Sequence, residues 1–300
     1  MANLVEMLKA AARDEHAAII QYLLHAYAMG EGEEACEIEG IAREEMRHFW
    51  ILSRWIVKLQ GIPTIERGFT DLGGETKAEW MDRDVQAEDR AIAMYRSYIA
   101  VIEDPALRSD LERILADEER HREMFLEFGE KFRREQALAP EEAPAPSVPS
   151  PFILEALDWG IRHEYAAILQ YLFHSFLTKD EEVSRQLELQ AINEMQHLGW
   201  LAEKLAALGK PIPIEHHPVD LSREVRQMLE ADIDLEAGTA HKYEIFLEKV
   251  EDPSVKELLK TLRTHELYHE NLFKRLLERI RHLSPSGWTV GSLIKSEKEG

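Results

Sequence analysis

The chain is written twice. Glu15-His-Ala-Ala-Ile-Ile-Gln-Tyr-Leu-Leu-His25 matches Glu164-Tyr-Ala-Ala-Ile-Leu-Gln-Tyr-Leu-Phe-His174, and Glu45-Met-Arg-His48 matches Glu194-Met-Gln-His197, both at an offset of 149 residues. Glu103-Asp-Pro105 then matches Glu251-Asp-Pro253, and Glu118-Glu-Arg-His121 matches Glu266-Leu-Tyr-His269, both at 148. An offset held over that length means that whatever one half folds into, the other repeats.

Between the copies, residues 137–151 carry five prolines. Proline forbids a helix there and favours an extended spacer. The reading is a domain at 1–136, a linker at 137–151, a second domain at 152–283 and a tail at 284–300. Glycine and proline are otherwise sparse, and apolar residues recur at helical spacing, as in Ile19, Leu23 and Tyr27. An all-α fold follows, with helices expected near 3–29, 33–60, 76–102 and 105–135, then 152–178, 180–208, 221–250 and 253–282. Asp104-Pro105 and Asp252-Pro253 are start signals, an N-cap followed by proline. Gly61 and Gly209, with Pro63 and Pro211 soon after, mark ends.

Loop lengths set the topology. Short connections make the first and second helices of each half antiparallel, and likewise the third and fourth. The second and third are separated by roughly 12–15 residues. A helix of about 27 residues is about 40 Å long, and about 13 extended residues span that distance. Each half thus reads as a four-helix bundle with one long crossover between its second and third helices, the ferritin-like order.

In the first half, Glu45 and His48 share a face of the second helix, and Glu118 and His121 share one on the fourth. The first helix offers Glu15 in an apolar stretch, and the third offers Glu88. The second half repeats all six as Glu164, Glu194, His197, Glu236, Glu266 and His269. Successive glutamates are 30, 43 and 30 residues apart in one half and 30, 42 and 30 in the other. Carboxylates gathered in a core need cations to offset them, and two divalent metals would neutralise four glutamates. Oxygen and imidazole ligands suit iron or manganese. One Glu from each of two helices with Glu-x-x-His from the other two is the di-iron and di-manganese carboxylate pattern.

Charge narrows the field. The net charge of −21 opposes nucleic acid and anionic membranes and favours bound cations. Cys36 is the only cysteine, which excludes an internal disulfide and a four-cysteine iron site and fits a reducing compartment. No apolar run reaches a spanning length of about 18 residues. A soluble cytoplasmic protein is the expectation.

These motifs identify a resemblance: each half is similar to bacterioferritin, through Glu-x-x-Ala-Ile-x-Gln-Tyr-x-x-His and Glu-Met-[Arg/Gln]-His. The resemblance implies that Glu45 and Glu118 bridge two irons, with Glu15 and His48 on one and Glu88 and His121 on the other. Glu194 and Glu266 would bridge the second pair, with Glu164, His197, Glu236 and His269 as terminal ligands. Tyr22 and Tyr171 match a tyrosine that can donate an electron, or are core tyrosines. Met46 and Met195 match a methionine that ligates haem b between two subunits, so the halves of this chain could hold one haem. Packing an apolar interface is the other reading of these methionines. The places of further inner-surface iron ligands hold Gly40 and Glu44, and Leu189 and Asn193, and the short fifth helix is missing. A self-assembled storage cage is therefore not expected, and a homo-oligomer is left open.

The tail carries one apolar island, Trp288 to Ile294. Thr289, Val290, Gly291, Ser292, Leu293 and Ile294 resemble the cargo-loading peptides that dock proteins inside encapsulin shells, with Val290, Leu293 and Ile294 as anchors. A terminus folded back on the bundle is the plainer reading. The expected function is a ferroxidase that oxidises Fe(II) with dioxygen or peroxide, as cargo of an encapsulin shell. The alternatives are a haem-holding electron-transfer protein and a di-iron oxygenase or peroxidase acting on an organic substrate. Cys36, His16, His216, His217 and His241 read as surface or loop positions, and His25 and His174 as core or as neighbours of the metals.

Overall fold

A computed structural model describes residues 2–137 and 149–283. Among the described residues run eight helices and no strand: α1 (Ala2–Met29), α2 (Glu33–Lys58), α3 (Lys77–Ile99), α4 (Pro105–Gln136), α5 (Pro151–Leu177), α6 (Glu181–Ala207), α7 (Val225–Lys249) and α8 (Pro253–Leu283). No helix among these is long and apolar enough to cross a membrane. Packing divides the chain into Met1–Val219, with α1 to α6, and Asp220–Gly300, with α7 and α8. The proposed domains of the sequence reading instead part at the linker, of which 138–148 lie outside the described residues.

Local signals place the helix ends. Asp104 accepts from the N–H groups of Ala106 and Leu107 at 2.9 and 3.0 Å, so α4 starts capped, with Pro105 at its first position. Asp252 caps α8 by accepting from Val255 N–H at 2.9 Å. Thr76 and Glu79 form a reciprocal capping box at the start of α3. α3 stops at Ile99, short of the expected 102. The carbonyl of Ile102 instead accepts from the Arg108 guanidinium, at 3.0 Å from Nε.

In the first unit α1 pairs with α2 and α3 with α4, while α1 on α3 and α2 on α4 close a four-helix bundle. The crossover, residues 59–76, tracks α1. Gly68 N–H donates to Arg13 O at 2.8 Å, Asp71 N–H to Gln21 Oε1 at 2.8 Å, and Lys77 Nζ to Met29 O at 3.3 Å. α3 therefore starts where α1 ends and runs parallel to α2, the ferritin-like order. Past α6 the copy begins the same way, with His217 N–H donating to Arg162 O at 3.1 Å. In the second unit α7 and α8 form an antiparallel pair.

The first unit also joins α1 to α6 and α2 to α5. One small apolar cavity there is lined by His16, Ile19, Ile20, Leu23, Met46 and Phe49, and by Tyr165, Ile168, Leu169, Leu172, Met195 and Leu198. The second six are the first six moved by 149. Equivalent residues meeting is the mark of a two-fold axis. It explains why α1 and α5 are buried all round between Ala17 and Ala26 and between Glu164 and Phe176, apart from half-buried Ala18. The placement of His16 at a surface or loop is corrected here. His16 is buried on this axis, where its Nε2 and Tyr165 Oη share a hydrogen bond of 2.6 Å. Helical periodicity within one half does not reveal a face covered by the other half.

The ends of α2 and α6 turn on different residues at equivalent positions. Gly209 takes the left-handed conformation after α6 (φ 67°), but after α2 it is Gln60 that does so (φ 62°). Gly61 serves sterics instead: a Cβ there would lie 2.7 Å from Val5 Cγ1. A non-glycine residue in that conformation costs roughly 1–2 kcal/mol, part of which glycine gives back in unfolded-chain entropy. Gln60→Gly should raise stability by about 0.5–1 kcal/mol, seen as a higher urea midpoint. An unchanged midpoint would show that position 60 is unstrained.

Candidate di-metal centre

Four helices each bring acidic groups to one level of the first bundle. Glu15 comes from α1, Glu45 and His48 from α2, Glu88 from α3, and Glu118 and His121 from α4, all buried. Their atoms fall into two groups, Glu15, Glu45, His48 and Glu118, and Glu45, Glu88, Glu118 and His121, each within 4.8 Å. Glu45 and Glu118 belong to both.

The oxygens divide in the same way. His48 Nδ1 lies 2.8 Å from Glu45 Oε2, 3.1 Å from Glu118 Oε1 and 3.7 Å from Glu15 Oε2. His121 Nδ1 lies 2.7 Å from Glu45 Oε1, 3.8 Å from Glu118 Oε2 and 3.8 Å from Glu88 Oε1. Each shared glutamate thus turns one oxygen to each imidazole, as a bridging carboxylate would. Glu45 Oε1, Glu88 Oε2, Glu118 Oε1 and His121 Nδ1 are buried without a well-directed hydrogen bond. Buried polar atoms are rarely left so. A pair of divalent cations fits this set: oxygen-rich, two imidazoles, no thiolate.

Burial and the facing charges shift the protonation of the cluster in opposite directions. Burial, then the Glu118 charge, pushes Glu15 well above the usual carboxylate range, and burial with Glu118 and Glu45 does the same to Glu88. Burial also acts on Glu45, but His121 and His48 outweigh it and hold that carboxyl well below its ordinary value. Burial opposes protonation of the imidazoles, yet Glu45 raises His48 well above its ordinary value and His121 to about 10.

Tyr22 Oη donates to Glu88 Oε1 at 2.7 Å, and Tyr95 Oη donates to Glu15. Burial and the facing carboxylates push both phenols well above their usual range. Tyr95 escaped the sequence reading. It follows Glu88 by seven residues, and Tyr243 follows Glu236 by seven, so the repeat held the signal. Asp84 was also missed. Fully buried, it accepts from Gln21 Nε2 at 2.8 Å and His25 Nδ1 at 2.9 Å, which makes His25 a core tie between α1 and α3.

The second copy repeats these parts within each unit. In the first unit His197 Nδ1 lies 2.6 Å from Glu194 Oε2 and 3.8 Å from Glu164 Oε2. In the second, His269 Nδ1 lies 3.4 Å from Glu236 Oε1 and 3.9 Å from Glu266 Oε2. Tyr171 and Tyr243 are fully buried.

Met46 and Met195 both line the axial cavity, of about 20 Å³. A wider space flanks it. One cleft of about 450 Å³ includes Met46, Arg43, Arg47, Trp50 and Ile192, and another of about 270 Å³ includes Met195, Arg43, Ile192 and Trp200. Such volumes approach or reach the about 300–1,000 Å³ of ligand pockets. Cys36, His216 and His241 are exposed. The tail residues 289–294 lie outside the described residues.

A Ferritin-like domain model matches residues 5–135 and again 154–283. A bacterioferritin of Streptomyces coelicolor is 33% identical over 125 residues, covering 40% of this chain and 75% of its own. One from Rhodobacter capsulatus is 31% identical over 126 residues, covering 40% and 78%. Among solved structures, a Mycobacterium tuberculosis bacterioferritin matches with a TM-score of 0.43 at 20% identity, over 46% of this chain and 91% of its own. A manganese catalase from Anabaena matches with a TM-score of 0.40 at 22% identity, over 50% and 84%.

Metal must displace the protons on His48 and His121. An imidazole pKa raised to about 10 means that the proton is present throughout the neutral range, so metal binding releases it and strengthens as pH rises. Anaerobic Zn(II) titrations should show apparent affinity rising about tenfold per unit of pH for each proton displaced. Affinity independent of pH would contradict this account of the cluster.

Proposed function

The chain belongs to the ferritin-like domain family, matched once in each half, and from that premise we propose that it is a ferroxidase with two di-metal centres. The observation that carries the reading is the pair of overlapping ligand groups sharing Glu45 and Glu118. The sequence repeat assigns the second centre to Glu164, Glu194, His197, Glu236, Glu266 and His269.

Iron is the substrate. Two Fe(II) ions each lose one electron, and dioxygen takes up both with two protons and leaves as hydrogen peroxide. With peroxide as oxidant, the same two electrons and two protons give two waters. The protein's part is placement and charge. Glu45 and Glu118 hold two cations at one spacing, while Glu15 with His48 and Glu88 with His121 complete each side. Tyr22 and Tyr95 fix the terminal carboxylates through their hydroxyl protons. Tyr22, and Tyr171 by repeat, stand where a side chain could supply a further electron.

A cavity of about 20 Å³ touches Glu15, Glu88 and Glu118 between α1 and α3. It has room for about one water-sized species. That favours ions and dioxygen over the organic substrate of an oxygenase, which needs a pocket of about 300 Å³ or more.

Haem binding is a second reading, favoured by the clefts beside Met46 and Met195. The cleft beside Met46 is mainly apolar and carries Arg43 and Arg47, which suits a flat cofactor bearing carboxylates. Met46 and Met195 would ligate it, and it would supply one-electron transfer. A sharp Soret band lost in Met46→Leu would support this reading, and purified protein without that band would end it.

The tail supports a location. Thr289 to Ile294 resembles an encapsulin cargo-loading peptide and follows a Ser-Pro-Ser-Gly break, which suits a docked extension inside such a shell. A chain cut after residue 283 should no longer co-purify with the shell protein, and undiminished co-purification would remove the tail from this role.

Glu45→Ala should cost the first centre its two ions and leave the second. With Glu194→Ala added, aerobic Fe(II) oxidation, followed as ferric absorbance, should fall to the uncatalysed rate. Full oxidation by the double variant would overturn the ferroxidase reading.

A further inference from the structure

The imidazoles of the first centre turn Nδ1 toward the carboxylate cluster. Their other nitrogens face outward, and each meets a carboxylate. His121 Nε2 lies 2.9 Å from Glu44 Oε2, and His48 Nε2 lies 3.3 Å from Asp117 Oδ2. Half-exposed Arg120 joins the two carboxylates: its Nη2 donates to Glu44 and, at 3.0 Å, to Asp117 Oδ1. Glu44 immediately precedes Glu45, and Asp117 immediately precedes Glu118. One residue is about 100° of helical turn. The side chains beside the shared glutamates therefore reach around to the backs of the histidines.

A carboxylate behind a metal-facing histidine fixes the ring, keeps the proton on the far nitrogen and makes the near nitrogen a better donor. Here one guanidinium holds both carboxylates, so the two rings are oriented together and α2 is tied to α4 beside the centre. The second copy has different residue types at these places. At the matching positions stand Asn193 for Glu44, His265 for Asp117 and Tyr268 for Arg120. Asn193 donates to Gln190 Oε1 at 2.9 Å. An amide, an imidazole and a phenol cannot rebuild two carboxylates bridged by an arginine.

We propose that Arg120, Glu44 and Asp117 form a positioning clamp for His48 and His121, and that this clamp makes the first centre the tighter of the chain's two divalent-metal sites. The inference rests on the reading of both centres as metal sites. It assigns Arg120 a role through the two carboxylates, not at the metal.

The test uses the full metal-free chain titrated anaerobically with Zn(II), which binds without oxidation. The unmodified chain should show a tight class and a weaker class, two ions in each, and Glu45→Ala should remove the tight one. Arg120→Met should weaken the tight class about 10–100-fold, the usual cost of losing such an outer partner, while the weak class stays where it was. Arg120→Lys should recover part of the loss. Glu44→Gln, which keeps shape and loses charge, should weaken the same class if Arg120→Met proves unstable. An Arg120→Met chain with both classes unchanged would overturn the proposal, as would equal weakening of both. Failure of the unmodified chain to take up any Zn(II) would instead overturn the metal reading, and the clamp with it.

Discussion

Four carboxylates and two imidazoles buried at one level of a helical bundle set the terms for the rest of this molecule. Each ionised group carries a desolvation cost of several kcal/mol unless partners offset it. In the first bundle the partners are the other members of the cluster: Glu45 lies between two imidazoles, and burial beside Glu118 pushes the Glu15 and Glu88 carboxyls well above their usual range. The same electrostatics favour cations at this level, which is the ground for the proposed di-metal centre.

That cluster also ties helix register to connection length. Glu15 lies fourteen residues from the end of α1, and Glu45 lies twelve from the start of α2, so a tight turn brings them level. Glu88 and Glu118 lie similarly about the turn from α3 to α4. The crossover returns the chain along α1, held by hydrogen bonds at Arg13, Gln21 and Met29, and so brings the second helix pair to the height of the first. A connection too short to run the length of α1 would reverse α3 and move Glu88 from the cluster. Topology and chemistry are one constraint here.

Duplication relaxes another. A surface shared by two equal halves is complementary to itself, and the cavity lined by six residues and their six equivalents is that surface inside one chain. Two copies in one chain can also diverge, which two identical subunits cannot. His16 now meets Tyr165, Gln60 stands where the other copy has Gly209, and Glu44, Asp117 and Arg120 correspond in sequence to Asn193, His265 and Tyr268.

The twelve ligand candidates, the helix order and the crossover were legible in the linear chain because each rests on spacing. Periodicity, proline, caps and an offset of 149 or 148 are one-dimensional signals. Spacing could not decide what lies behind a ligand or across a face. Tyr95 reaches Glu15 from 80 residues away, Asp84 ties His25 from 59 away, and Glu44 backs His121 from 77 away. His16 could be read as a surface residue because its half alone shows no cover for it. Partners at such separations are chosen by packing, when helices distant in sequence settle side by side. Only the tertiary structure decides which buried polar group meets which.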